Sequence, residues 1–353
     1  MTKSLKIVNS VFGDASGGRW NAMMNMSNAL ESKGHKLIVV ASQDNKKLDH
    51  YGRKIEYFSN SGFYDFWSAY KIKRWLDKER PDVILAHSGR AVCLFKNAML
   101  FGGKEIPVIA INHSHNVKRT VRADGFIHIT PHVAECVAEA SGKKGIDLSK
   151  KPQAIISNLV YLPEQKPIFS SSLKNPPVLG IMTRLVDYKG THLLIDAVAL
   201  LKQKGCDVRL LIAGEGEEKN ILMEQTNRLG LKDQVEFLGW IGGDAKMKFY
   251  QDIDIAVVPT MNDTQPLAIL DAFSWGKPVV ASDHISVQQI IRDGGNGLMA
   301  KCGDSESLAK KIYFLIENPN KFKQYAETAF SEVIDEYQFS KIAEKLNKFL
   351  LSI

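Results

Sequence analysis

Two cations, Arg184 and Lys189, stand in the string Met182-Thr183-Arg184-Leu185-Val186-Asp187-Tyr188-Lys189-Gly190. The string follows an apolar run over 178–183 and precedes a helical pattern that begins at Thr191. Arg184 is expected at the carboxyl end of a strand. Lys189 is expected just before a helix N-terminus, with Thr191 as its cap. Guanidinium, ammonium and unpaired helix amides converging on one spot make an anion site. A diphosphate suits such a site, because its charge is neutralised in the ground state and more strongly as it departs.

A second string, Pro259-Thr260-Met261-Asn262-Asp263-Thr264-Gln265-Pro266-Leu267-Ala268-Ile269-Leu270-Asp271, carries two carboxylates with seven residues between them. Asp263 falls in a loop after a strand, and Pro266 falls where the first turn of a helix tolerates proline. Asp271 falls inside that helix among apolar neighbours, where a lone carboxylate is costly without partners. Carboxylates accept hydrogen bonds from the vicinal hydroxyls of a ribose or a pyranose. Gln265, Pro266 and Leu267 lie between the two acids and join the candidate binding residues.

Two more clusters follow strands. Gly13-Asp14-Ala15-Ser16-Gly17-Gly18-Arg19 lets a phosphate or sugar approach the backbone at a helix N-terminus, with Gly17 and Gly18 nearest. Ile111-Asn112-His113-Ser114-His115-Asn116 sets two imidazoles at a strand end, able to bond a hydroxyl or act on a proton. His113 leads, His115 is the close alternative, and His87 is a lesser candidate. Gly214 and Trp240, after later strands, are secondary candidates. Neither glycine cluster has the dinucleotide-binding spacing, which disfavours a nicotinamide oxidoreductase. The two histidines lack a third metal ligand nearby.

These residues need strands to end where helices begin. Strand patterns fall at 5–10, 36–41, 83–86, 108–112, 125–129 and 154–157, then at 178–183, 208–214, 235–238, 255–259 and 278–282. Helical patterns separate them, over 19–33, 64–79, 90–101, 131–141, 191–204, 217–229, 244–250, 267–275 and 287–292. Such alternation predicts parallel sheets with crossover helices, and ligands bind outside the carboxyl ends of such strands. The stretch 159–177 holds Pro163, Pro167, Pro176 and Pro177 and breaks the pattern. We expect domains over 1–165 and 166–353, helices only from 305 onward, and a last helix, 340–351, able to return to the first domain.

The chain has 353 residues, too many for one ordinary core. Residues 1–170 carry 25 Lys and Arg against 15 Asp and Glu, whereas the remainder carries 21 against 24. A basic first half suits an anionic partner, either a phosphorylated acceptor or a membrane surface. The basic, aromatic stretch Tyr70-Lys71-Ile72-Lys73-Arg74-Trp75-Leu76 is the candidate for resting on an anionic leaflet. Nothing beyond net charge points to nucleic acid. Cys93, Cys136, Cys206 and Cys302 are scattered, as for reduced thiols in a cytoplasmic protein. No run is apolar for the length of a membrane span, and the N-terminal apolar run is too short for a signal peptide.

Taken together, Gly17-Gly18, Arg184 with Lys189-Gly190, Asp263 with Asp271, and Gly276-Lys277-Pro278-Val279-Val280 resemble glycosyltransferase family 4 across essentially the whole chain. The resemblance implies an α/β chain of GT-B architecture, two Rossmann-like domains facing each other across a cleft. It implies a retaining transfer from a nucleoside-diphosphate sugar, most often a UDP-sugar, with no metal or cofactor. The acceptor would be a glycan or glycolipid, in lipopolysaccharide or cell-surface polysaccharide synthesis. The enzyme would be cytoplasmic or peripheral on the inner face of the membrane.

By the same resemblance Arg184 and Lys189 bind the diphosphate, Asp271 the ribose and Asp263 the donor sugar. His113 lies near that sugar, and the amides of Gly17 and Gly18 face the phosphates. The family usually has glutamate at both acidic positions, and its glycine-aromatic-glycine segment is Thr264-Gln265-Pro266 here. Two rival readings share the architecture, a sugar-nucleotide epimerase and a non-catalytic nucleotide-sugar-binding protein.

Overall fold

The computed structural model describes residues 3–13, 15, 18–48 and 53–353. The chain divides into two compact units, one made of Met1–Leu159 with Phe339–Ile353 and the other of Val160–Gln338. The chain therefore changes unit at Leu159, before the 165/166 boundary read from the sequence, and changes back ahead of its last helix.

In the first unit the strands are β1 (Lys6–Val11), β2 (Lys36–Ser42), β3 (Ile55–Phe58), β4 (Val83–Ala86), β5 (Val108–Asn112), β6 (Gly125–His128) and β7 (Gln153–Ile155). Their helices are α1 (Gly18–Glu31), α2 (Phe66–Glu79), α3 (Gly89–Met99) and α4 (Pro131–Gly142). The second unit holds β8 (Val178–Met182), α5 (Thr191–Gln203), β9 (Arg209–Ala213), α6 (Lys219–Arg228), β10 (Val235–Gly239), α7 (Gly243–Asp252) and β11 (Ile255–Val258). It continues with α8 (Leu267–Ser274), β12 (Val279–Ser282), α9 (Ile285–Gln288), β13 (Leu298–Ala300), α10 (Ser305–Glu317) and α11 (Pro319–Glu332). The last helix, α12 (Phe339–Leu351), belongs to the first unit.

Among the described residues the sheet orders are β3-β2-β1-β4-β5-β6-β7 and β10-β9-β8-β11-β12-β13, every pair parallel. Strands covered on both faces read as unbroken apolar runs. That is why Val83–Ala86 and Ile255–Val258 are buried along their whole length. Helix starts follow local chemistry. Asp65, Ser88, Thr130 and Asp304 each accept a backbone N–H as the N-cap of α2, α3, α4 and α10. Ile342, Leu346, Phe349 and Leu350 of α12 complete a core with Leu5, Ile7 and Leu85, so this helix seals one face of the first sheet.

Four sequence expectations are corrected. Gly190, not Thr191, is the N-cap of α5, and the hydroxyl of Thr191 is buried without a hydrogen bond. Pro266 is the N-cap of α8 rather than a residue of its first turn. The helix expected at 287–292 is a single turn, Ile285–Gln288, begun by the His284 ring accepting the Ser286 N–H. Strands β3 and β13 add to the expected set, because four and three residues are too few to show a period.

Both sheets reverse strand order beside their first strand. The reversal lies between β1 and β4 in one unit and between β8 and β11 in the other. Crossover connections leave in opposite directions there and open a crevice at the strand ends. In the second unit a glycine sets the crevice's width. Gly190 has φ +72°, and a Cβ on it would lie 2.1 Å from the carbonyl oxygen of Pro259, just past β11. Gly190→Ala is expected to cost at least ~1–3 kcal/mol in urea unfolding. Gly205→Ala, at φ +75° with nothing within 4 Å, isolates the cost of the backbone angle alone. Equal losses in the two variants would refute the close-approach argument.

Candidate active site

Two polar clusters sit at the two reversals, one in each unit. In the second unit, the loop after β8 and the loop after β11 are joined by the Met261 N–H donating to the Tyr188 carbonyl at 2.8 Å. That link brings Lys189 Nζ to 2.5 Å from Asp263 Oδ2, with both side chains 19% exposed. Arg184 is exposed, and its Nη2 donates to the Tyr188 hydroxyl. The same tyrosine ring lies 5.9 Å from the Arg184 guanidinium carbon and 5.7 Å from Lys189 Nζ. Tyr188 thus holds both cations at one place, a role its sequence position did not reveal.

Asp271 does have the partner its apolar helix demands, because Lys246 Nζ donates to its Oδ2 at 2.8 Å. Behind it the Tyr250 hydroxyl is buried without a hydrogen-bond partner. Burial first, and the nearby Asp271 charge second, hold that phenol well above its usual range. Neither α5 nor α8 has a side-chain cap, so their first amides remain available to an anion or a hydroxyl. Gln265 and Pro266 are buried at the start of α8, and Leu267 is half-buried. Gly214 lies against the Thr183 carbonyl, only 1.8 Å from where a Cβ would stand, and donates to the Gly239 carbonyl at 2.7 Å. Trp240, the next residue along, is 79% exposed.

In the first unit, the imidazoles of His87 and His113 stack with centroids 5.0 Å apart, and His87 Nδ1 is 2.8 Å from His113 Nε2. The proton positions follow from the partners. Asn9 Nδ2 donates to the Met23 carbonyl and the Ser27 hydroxyl, so its Oδ1 faces His87 Nε2 at 2.8 Å as an acceptor. His87 Nε2 therefore carries the hydrogen and its Nδ1 accepts from His113 Nε2. His113 is left with a bare Nδ1, an acceptor for a hydroxyl. Desolvation, and secondly the Arg19 guanidinium, push His113 down to about 3. His87 is driven well below its usual value by burial, then by His113 and Arg19. Both rings are neutral near pH 7.

A pocket of about 280 Å³ opens at His113, with Arg19, Arg90 and Arg119 on its walls. His115 turns elsewhere and packs edge-on to His132 at 5.0 Å, which separates the two histidines that the sequence left as alternatives. Gly18 begins α1 near this pocket's Arg19 wall, and Gly17 lies outside the described residues. Sequence reading passed over Arg90 and Arg119, whose one signal was a cation shortly after each of two strand ends.

Two doubly wound parallel domains, each with polar side chains gathered where its strand order reverses, define the GT-B class of sugar-transferring enzymes. One family model, Glycosyltransferase Family 4, matches residues 16–145, and another, Glycosyl transferases group 1, matches residues 164–332. The chain belongs to glycosyltransferase family 4. The lipopolysaccharide core biosynthesis glycosyltransferase LpsE of Rhizobium meliloti is 26% identical over 355 residues, 99% of each chain. LpsD of the same organism, also a lipopolysaccharide core biosynthesis glycosyltransferase, is 26% identical over 324 residues, 89% of each. The fold is that of HepE from Anabaena, crystallised with UDP and glucose. The match has a TM-score of 0.81 at 21% identity and covers 99% of this chain and 100% of that one.

The neutral histidines make a testable linkage. Their folded values lie below the ordinary imidazole value of 6.5. The stability they contribute is full above pH 6.5 and is lost as pH falls toward 3, because the unfolded rings bind protons first. Urea midpoints are therefore expected to fall between pH 7 and pH 4, and less steeply in His87→Gln than in wild type. Parallel curves would mean that the pair does not titrate as derived.

Proposed function

We propose that this enzyme transfers a sugar from a UDP-sugar, with retention at the anomeric carbon, to a growing lipopolysaccharide or cell-surface polysaccharide. The observation that carries the reading is the convergence of Arg184, Lys189 and the uncapped start of α5 at the β8 end, where β8 and β11 part. The lipopolysaccharide core assignments of LpsE and LpsD, and the UDP and glucose bound to HepE, support the donor and pathway.

In this reading the diphosphate docks on Arg184 and Lys189, and Asp263 gives up part of its hold on Lys189 to it. The two cations then take the charge that develops as the glycosyl–phosphate bond breaks. The acceptor hydroxyl attacks from the face the diphosphate leaves, and its proton passes to a departing phosphate oxygen. Asp271 holds the ribose hydroxyls, with Lys246 fixing its carboxylate, and Asp263 contacts the donor sugar. His113 offers its bare Nδ1 to a sugar hydroxyl. The protein's own cations carry this work, without a resident metal or cofactor.

The acceptor is met at the cytoplasmic face of an anionic membrane. Among the described residues no helix is long and apolar enough to cross one, so the contact is peripheral. Helix α2 presents it. Lys73 is buried and paired with Asp77, but Trp67, Tyr70, Lys71 and Arg74 of the same helix are exposed. The Trp67 and Tyr70 rings stack, and Tyr70 meets exposed Phe101 edge-on at 5.4 Å. Aromatic rings beside cations suit the headgroup layer.

Arg184→Ala and Lys189→Ala are each expected to lower UDP release in the presence of lipid-linked glycan acceptor by at least ~10²-fold, with chelator leaving the wild type unchanged. Near-normal turnover in both variants would overturn the reading. Trp67→Ala with Lys71→Gln is expected to weaken sedimentation with phosphatidylglycerol vesicles, and added salt to weaken it in the wild type. Salt-independent sedimentation, or none, would remove the membrane contact.

A further inference from the structure

The reactions just assigned leave Arg90 and Arg119 without a task. Both line the 280 Å³ pocket beside His113. The Arg119 guanidinium carbon lies 3.6 Å from the centroid of the Phe63 ring, and that of Arg90 lies 5.6 Å from it. Neither guanidinium has a hydrogen bond or an ion pair within the protein, and no Asp or Glu lines the pocket, among the described residues. Arg19 adds a third positive group on the same wall.

Arg90 and Arg119, sharing the Phe63 ring, repel each other unless an anion joins them, and a planar fork stacked on an aromatic ring is preorganised to grip one. The histidines do not supply this charge, since both are neutral. The backbone is arranged to the same end. Gly89 opens α3 with its Cα hydrogens toward Arg119, and a Cβ there would stand 3.1 Å from that of Arg119. The missing side chain lets Arg119 lie against the N-terminus of an eleven-residue helix whose Ser88 cap also lines the pocket. The helix end adds positive potential to that of the arginines.

We propose that this pocket binds a phosphate carried by the acceptor, held by Arg90 and Arg119 with Phe63 fixing their planes, so that the acceptor is a phosphorylated sugar or lipid. The proposal rests on the transferase reading above and names the substrate class of its acceptor side. The volume fits the assignment. It falls just below the roughly 300–1,000 Å³ of pockets that enclose a whole drug-sized ligand. It suits a phosphate with one adjoining ring, the remainder of the acceptor lying outside. The exposed Tyr64 ring also lies 6.0 Å from the Arg119 guanidinium carbon.

The test uses the full chain saturated with UDP, so that Arg184 and Lys189 are occupied. Calorimetry with glucose 6-phosphate is expected to show one site, and glucose none. Arg90→Gln and Arg119→Gln are each expected to weaken glucose 6-phosphate about tenfold or more while leaving UDP binding unchanged, as for loss of a charge-assisted hydrogen bond. Equal affinity in the Arg90→Gln/Arg119→Gln double variant, or no binding of glucose 6-phosphate by a protein that binds UDP, overturns the proposal. If UDP does not bind but glucose 6-phosphate does so in an Arg119-dependent way, the donor reading fails and this site stands. Phosphatidylcholine vesicles doped with phosphatidic acid form the second arm. Arg119-dependent binding to them that outcompetes glucose 6-phosphate assigns the phosphate to a lipid headgroup, and the reverse assigns it to a soluble sugar phosphate.

Discussion

Parallel pairing on both sides of one strand governs the rest of this molecule. β1 hydrogen-bonds to β2 and β4, and β8 to β9 and β11, all in the same direction. A strand so placed forces its two neighbours' crossovers onto opposite faces, and the loops at its carboxyl end diverge. Buried backbone groups at such an end need partners, and neighbouring loops supply them. Thr183 N–H bonds to the Ala213 carbonyl and Leu185 N–H to the Glu215 carbonyl, which extends the sheet's pairing into the loops. Glycines at 190, 214 and 216 allow that approach, since a Cβ on any of them would meet a carbonyl oxygen at about 2 Å. The cations of the second unit are positioned by this framework, and their own side chains contribute little to it.

The first unit solves the same geometric problem with side chains. Asn9 is fully buried at the reversal, and its amide is oriented by the Met23 carbonyl and Ser27. That orientation determines which nitrogen of His87 bears hydrogen, and His87 in turn determines it for His113. A buried network earns its desolvation only when every member is satisfied. Here each donor from Asn9 to His113 finds an acceptor, and the one atom left over is His113 Nδ1. An imidazole held neutral is a better hydroxyl acceptor than a proton donor, which fits contact with a sugar rather than acid catalysis.

Much of this was legible in the sequence for a physical reason. Strands buried on both faces announce themselves as apolar runs, so β4, β5, β8 and β11 stood out, and with them the loops that must carry the chemistry. Arg184, Lys189 and Asp263 stand out in the sequence because each follows such a run. β3 was missed because it is half-exposed throughout and short of apolar contrast, and β13 because three residues carry no period. Arg90 and Arg119 were missed for a different reason. Cations near strand ends are ordinary, and only a tertiary fact, the shared Phe63 ring with no acid among the described residues that line the pocket, distinguishes these two. His113 and His115 were equivalent until the backbone turned one toward His87 and the other toward His132.

The distribution of counter-charge separates the two clusters more sharply than the net charge of either half of the chain. In the second unit, Lys189 is tied to Asp263 and Lys246 to Asp271. In the proposed reading, a diphosphate docking there competes with Asp263 for Lys189, which moderates its grip and lets the nucleotide leave after transfer. The shorter aspartate side chains, each drawn to a lysine, make this restraint part of the site. In the first unit Arg90 and Arg119 have no ion pair among the described residues, and an anion there meets no carboxylate paired to either of them. A ligand that must be released each turnover is served by compensated cations, whereas one that must be chosen by its charge is served by uncompensated ones. In the proposed reading, carboxylates beside one cluster and none among the described residues lining the other suit the first to release of the nucleotide and the second to selection of the acceptor.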